Sequence, residues 1–144
     1  MTCTFFGHRN VPNEIEPILR STLIDLIEKH DVKLFYVGNH GGFDRMVRRV
    51  LKDMAETYKI TYHVALAYMP GKIDEFSNED YSDTILLDGI ETVPKRFAIS
   101  YRNRWMIDQS DYVVTYVTNH IASGAAQFKE LAGRKGKIVI NIVN

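Results

Sequence analysis

The chain has one cysteine and no net charge, which argues against a protein stabilised by internal disulfides and against one that binds polyanions through its overall charge. With Cys3 alone, no internal disulfide can form. The 18 basic residues balance the 18 acidic residues, so no overall field attracts a polyanion. Nucleic acid is therefore an unlikely partner.

Long apolar runs are also missing. Nowhere do about 18 apolar residues follow one another, and the chain does not open with the cationic and apolar segments of a secretion signal. We therefore expect no membrane partner and a cytoplasmic location. The five histidines lack metal-like spacing with carboxylates or thiols, so we predict no metal and no cofactor.

The remaining composition predicts a single domain over residues 1–144, since 144 residues with 45% apolar content suit one core. Apolar strand-like runs such as "TCTFFG", "KLFYVG", "ITYHVALAY", "YVVTYV" and "KIVINIV" alternate with amphipathic helical segments. Strands separated by helices pair in parallel through right-handed crossovers. The pattern predicts an α/β fold with three layers and a doubly wound, mostly parallel sheet.

Residues 69–95 break this alternation with proline, glycine and acidic residues around a short apolar "TILL". So long an irregular connection is typical of a functional or mobile segment. Two interpretations stay open, a lid and a short extra strand with flexible flanks.

Glycine-bearing loops follow three of the predicted strands, at residues 7–9, 38–42 and 119–125. Ligands of open parallel sheets collect at the carboxyl ends of the strands, where helix starts offer free N–H groups to phosphate. Gly41 and Gly42 are the first candidates for this contact, and Ser123 and Gly124 are the second. Strand-to-helix turns also need glycine for geometry alone, so a structural role is the alternative for each loop.

Several polar residues extend this candidate site. His8 and Arg9 follow the first strand, where an imidazole can contact a ligand and a guanidinium can pair with phosphate. Asp44 complements the dipole of the helix it begins or binds a ribose hydroxyl pair. In "SYRNRWMIDQSD", Arg102, Asn103 and Arg104 are polar candidates, whereas Trp105 is interpreted as core.

Neither G-x-x-x-x-G-K followed by Ser or Thr nor G-x-G-x-x-G is present, which disfavours nucleoside triphosphate hydrolysis.

Four segments together, "CTFFGHR", "YVGNHGGFDRMV", "YRNRWMIDQSDYVVTYV" and "SGAAQFKELAGRKGKIVINI", resemble the bacterial and phage SLOG superfamily. That superfamily unites the DNA-processing SMF proteins with the Lonely Guy proteins, and the match is to its small single-domain branch. The resemblance implies a Rossmann-like sheet, a nucleotide-related ligand held by the glycine loops, and a homo-oligomer, a dimer or larger.

The sequence departs from the catalytic Lonely Guy proteins at one position. Where their helix-start motif has threonine and then glutamate, "NHIASGAAQF" places Ala125 and Phe128. Glu130 lies two residues further on and is turned away from that position. We therefore predict no catalytic residue, and only Asp44, Asp108 or an acid of the long loop could substitute.

Three functions remain open. The first is a sensor or sequestering protein for a nucleotide-derived signal such as an ADP-ribose isomer. The second is a nucleoside monophosphate N-ribohydrolase, and the third is an accessory factor for single-stranded DNA. The predicted ligand-binding residues are Gly7, His8, Arg9, Gly38, Asn39, Gly41, Gly42, Phe43, Asp44, Arg102, Asn103, Asn119, Ser123, Gly124 and Ala125.

Overall fold

Strands and helices alternate along the chain and build one layered α/β structure. The computed structural model describes residues 1–68, 82–118 and 123–143. The strands are β1 (Thr2–Gly7), β2 (Leu34–Val37), β3 (Thr61–Leu66), β4 (Thr84–Leu86), β5 (Tyr112–Tyr116) and β6 (Ile138–Asn141). The helices are α1 (Ile15–His30), α2 (Gly41–Met54), α3 (Lys95–Gln109) and α4 (Gly124–Arg134). Within these ranges, no helix has the length and apolarity required to cross a membrane.

The described strands form a single parallel sheet in the order β4-β3-β2-β1-β5-β6. The chain winds outward from the central β1 to the edge strand β4, then returns past β1 to β5. This reversal makes the end of β1 the switch point at which ligands of such sheets bind. The predicted doubly wound parallel fold is confirmed.

Two apolar layers cover the sheet, one on each face. Because neighbouring residues of a strand point to opposite faces, Phe5 and Phe6 of β1 belong to different layers. Phe5 packs with α1 and α2, whereas Phe6 packs with α3 and α4. Trp105 packs against this second layer, as predicted, with its ring 4.9 Å from that of Tyr36.

The irregular segment 69–95 contains a strand, since β4 pairs with β3 through Thr84, Ile85 and Leu86. A short 3₁₀ helix, Ile90–Thr92, leads on towards α3. The extra-strand interpretation is therefore correct for this part of the segment. The lid interpretation of the segment stays a prediction, because residues 69–81 lie outside the described residues.

Gly7 closes β1 against the ring of Phe43, and we expect Gly7→Ala to destabilise the fold. An added Cβ would lie 2.3 Å from two ring carbons of Phe43, a side chain with no exposed surface. Overpacking of this kind costs about 1–3 kcal/mol in free energy of unfolding. Denaturant unfolding measures the loss.

Gly133→Ala is the matched control, because an added Cβ at this α4 position meets no atom within 4 Å. Inside a helix that change is expected to be neutral or to stabilise by about 0.5 kcal/mol. Equal losses in the two variants would contradict the packing argument.

Candidate functional site

The predicted loops meet at one edge of the sheet, because all strands are parallel and their carboxyl ends share that edge. Residues 7–9 follow β1, residues 38–42 follow β2, and Ser123 precedes α4. We call this edge the rim. Asn119, the remaining loop candidate, lies outside the described residues.

His8 ties the β1 end to the β5 end at the switch point. Its backbone N–H donates to the carbonyl of Tyr116 at 3.2 Å, and its ring Nε2 accepts from the backbone N–H of Thr118 at 3.0 Å. The imidazole also stacks edge-on against the Tyr116 ring. His8 therefore holds two predicted loops together, while the neighbouring Arg9 is exposed.

The start of α2 is occupied partly by the chain itself. The amide of Gly42 donates to the carbonyl of Arg9 at 2.7 Å, and the amide of Phe43 donates to that of His8 at 3.4 Å. A Cβ on Gly42 would lie 2.4 Å from the Arg9 oxygen, so glycine is needed for this close approach. The Gly42 amide, assigned to a phosphate from the sequence, is thus already paired within the fold. Gly41 precedes it with a φ of 89°, a backbone conformation suited to glycine.

The start of α4, unlike that of α2, is capped by a side chain of its own segment. Ser123 caps the helix, since its side-chain oxygen accepts from the amide of Ala126 at 3.1 Å. Gly124 is exposed, and an added Cβ there would meet no atom within 4 Å. Packing therefore gives no reason for a glycine at this position. The half-buried Ala125 follows it in the first turn.

Arg102 is the central cation of the rim and is only 2% exposed. Its Nη1 donates to Asn39 Oδ1 at 3.0 Å and to the carbonyl of Ala65 at 3.2 Å, and its Nε donates to Asn103 Oδ1 at 3.0 Å. Burial lowers the pKa of Arg102, while the nearby Asp44 and Tyr68 oppose that shift. Arg104, by contrast, is exposed on the outer side of α3.

One nitrogen of this guanidinium, Nη2, has no hydrogen-bond partner among the described residues. Every fully buried side-chain nitrogen or oxygen among those residues does have a partner, so Nη2 is not sealed from solvent. The arrangement therefore holds a fixed positive charge at the rim with one donor, Nη2, that the described residues leave unused.

Asp44 is the acidic residue of the rim, and its carboxyl lies against Gly38, as does the guanidinium of Arg102. A Cβ on Gly38 would lie 2.8 Å from Asp44 Oδ2 and 3.0 Å from Arg102 Nη2, so the glycine brings both groups against the backbone. Asp44 Oδ2 accepts from the amide of His40 at 3.0 Å. Burial raises the pKa of Asp44 to about 6, against the opposing effects of that bond and of Arg102. Asp44 is thus a carboxyl that changes its charge near neutral pH.

Two further rim residues, His40 and Tyr68, were missed in the sequence analysis. His40 Nδ1 lies 3.3 Å from Arg102 Nη1, and its Nε2 lies 3.2 Å from the Tyr68 hydroxyl. Burial, followed by Arg102 and Arg9, lowers the pKa of His40. The position of His40 inside a glycine loop and of Tyr68 just past a strand were the available signals.

A small cavity of about 80 Å³ opens beside the Asp44 carboxyl. Such a volume holds a few water molecules or one small polar group of a larger ligand. Its lining residues are Gly38, Asn39, Gly41, Asp44, Arg45, Arg48, Val64, Leu66 and Thr84.

The other acids considered from the sequence do not join the rim. Asp108 lies in the last turn of α3, at the far end from the rim, where it pairs with Lys135 at 2.5 Å. Glu130 is exposed on α4. Phe128, at the position of the Lonely Guy glutamate, stacks on Phe6 with ring centres 5.4 Å apart and so belongs to the core.

A comparison with protein-family models finds no match for the chain, and a comparison with curated proteins finds none either. The resemblance to the SLOG superfamily therefore stays a prediction.

We expect Asp44 to make stability depend on pH between about 4 and 6. Its pKa is raised from 3.8 to about 6 on folding, so the unfolded chain releases this proton first as the pH rises. The folded state is then penalised by about 3 kcal/mol once the pH exceeds 6. Asp44→Asn keeps the shape without the charge, so wild type should lose stability relative to this variant across that window.

Chemical denaturation of both proteins at each pH gives the difference directly and cancels groups such as Glu16, whose pKa is lowered by Arg49. Glu130→Gln, which removes an exposed carboxyl from α4, is the control for the loss of one negative charge. A wild-type minus Asp44→Asn difference that stays constant with pH contradicts the assignment.

Proposed function

We propose that the chain is a cytoplasmic protein that binds a nucleotide-derived small molecule, of the ADP-ribose or NAD-derived type, as a sensor or sequestering protein. The observation that carries this proposal is the buried guanidinium of Arg102, whose Nη2 has no partner among the described residues. No catalytic residue is needed for such a role.

The argument from Arg102 is energetic. A buried charge is costly unless it is paired and hydrogen-bonded. Here three acceptors fix the orientation of the guanidinium, while the carboxyl of Asp44 accepts from the His40 amide and makes no hydrogen bond with Arg102. A bound anion would complete the pairing, and planar guanidinium groups suit phosphate oxygens.

The surroundings of Arg102 support the same ligand class. The rim lies at the switch point of a doubly wound sheet, where ligands of such folds bind. The exposed Arg9 and the open first turn of α4 at Gly124 add a cation and a helix start. The resemblance to the SLOG superfamily points to the same ligand.

Asp44 favours a second candidate function, a nucleoside monophosphate N-ribohydrolase. A carboxyl with a pKa of about 6 can give a proton to a leaving base near neutral pH. It lies beside a cavity at the rim, where a ribose could approach it.

One incubation separates these functions. The protein is mixed with AMP, NAD and ADP-ribose, and the supernatant is analysed before and after heat denaturation. Intact ligand released only by heat supports sequestration, whereas free base accumulating with time supports hydrolysis. Retention of none of the three, together with a salt-sensitive shift of single-stranded DNA, would favour the third function.

We expect Arg102→Lys to weaken binding of the retained nucleotide by at least about tenfold, because lysine keeps the charge but loses the fork of donors. Isothermal titration calorimetry measures the affinity, and a thermal melt confirms that the variant folds. Arg104→Lys, the same change on the exposed side of α3, should leave affinity unchanged. Similar affinities for the two variants would remove Arg102 from the site.

We also propose that the chain forms homo-oligomers through the outer face of α3. Phe97, Tyr101 and Trp105 recur every fourth residue on this face, and Phe97 and Tyr101 are 52% and 43% exposed. They line a groove of about 580 Å³. Two antiparallel copies related by a twofold axis would bury this aromatic stripe against its own copy.

Tyr101→Asp places a charge in the centre of that face and is expected to yield monomers. Sedimentation velocity at several concentrations measures the state, with the exposed Lys29→Asp as the matched control. An unchanged sedimentation coefficient in the Tyr101 variant contradicts this surface.

A further inference from the structure

Helix α2 has one apolar face and one basic face. Its buried residues pack against the sheet, whereas Arg45, Arg48, Arg49 and Lys52 share the opposite face at spacings of three, four and seven residues. The basic face begins one residue after Asp44, so it runs from the rim along the outside of the molecule.

Two of the four cations on this face form ion pairs with acidic residues. Arg49 pairs with Glu16, and Arg48 binds Asp83 through two bonds of 2.9 and 2.6 Å. Arg45 and Lys52 are exposed and form no ion pair with any residue in the described ranges. Two cations on one helix face are thus free to meet an anion.

These cations line a groove rather than a convex surface. The groove has a volume of about 290 Å³ and is bounded by Arg45, Arg48, Arg49, Lys52, Tyr62, Ser82 and Asp83. The acid among them is already engaged, since Asp83 Oδ2 accepts from the Tyr62 hydroxyl at 2.9 Å as well as from Arg48. The groove therefore presents an excess of positive charge.

The groove adjoins the rim cavity. Arg45 and Arg48 line both spaces, with Gly38 and Asp44 on the rim side and Lys52 at the far end of the groove. Arg45 and Lys52 are about 10 Å apart along the helix axis. A ligand that starts at the rim can therefore place a second group on this face.

We infer that the outer face of α2 is a second anion subsite, and that the ligand carries at least two phosphate groups, one at the rim and one on Arg45 and Lys52. This inference rests on the proposed function for the rim group only. It narrows the possible ligands to those with two or more phosphate groups, since a nucleoside monophosphate would leave the groove empty.

Inorganic phosphate, pyrophosphate and tripolyphosphate test the subsite without knowledge of the base. Calorimetric titrations at one ionic strength compare wild type with Arg45→Ala/Lys52→Ala. The control is Lys29→Ala/Arg134→Ala, which removes the same charge from the last turns of α1 and α4. Wild type should bind tripolyphosphate about tenfold more tightly than phosphate, the gain expected from two exposed charge-assisted contacts.

Loss of that gain in Arg45→Ala/Lys52→Ala alone supports the subsite, as does competition between tripolyphosphate and ADP-ribose. Equal affinities for the three anions, equal losses in both double variants, or simultaneous binding without competition would each overturn it. If AMP and ADP-ribose fail to bind while the chain-length gain persists, the proposed function fails and the groove stands. If they bind without any such gain, the groove fails and the proposed function stands.

Discussion

The charge of Arg102, held below the surface at the ends of β2 and β3, constrains the rest of the rim. Its acceptors come from three elements: Asn39 after β2, the Ala65 carbonyl in β3 and Asn103 in α3. A guanidinium in low-dielectric surroundings is costly to bury unless such acceptors stay in place. Gly38 completes the arrangement because a Cβ there would lie 2.8 Å from Asp44 Oδ2 and 3.0 Å from the guanidinium. The rim is therefore held together by polar contacts, whereas the layers beneath it are held by apolar packing.

The local sequence pattern was sufficient to predict the fold class, because most strands and helices have an apolar pattern that is visible within a few residues. Apolar runs such as "YVVTYV" are typical of strands buried on both faces, and the helices between them leave parallel pairing as the only economical arrangement. β4 was harder to predict, since it has three residues and its pairing with β3 spans a long irregular connection. Short strands owe their existence to neighbours that a local pattern does not contain.

The edge at which the loops meet was predictable, but the contacts between them were not. Parallel strands place their carboxyl ends together, so the meeting of the loops followed from topology. The pairing of the Gly42 amide with Arg9 depends on how closely two loops approach, which no local signal encodes. The burial of Arg102 rather than Arg104 depends on the rotation of α3, and apolar residues on both sides of that helix leave its rotation ambiguous.

Helix α3 presents Arg102 to the rim and the preceding residue, Tyr101, to solvent. The two residues are neighbours in sequence, so their side chains diverge by about 100° around the helix axis. One helix thus supplies both the buried guanidinium and the exposed aromatic face, and any rotation of α3 would move the two together.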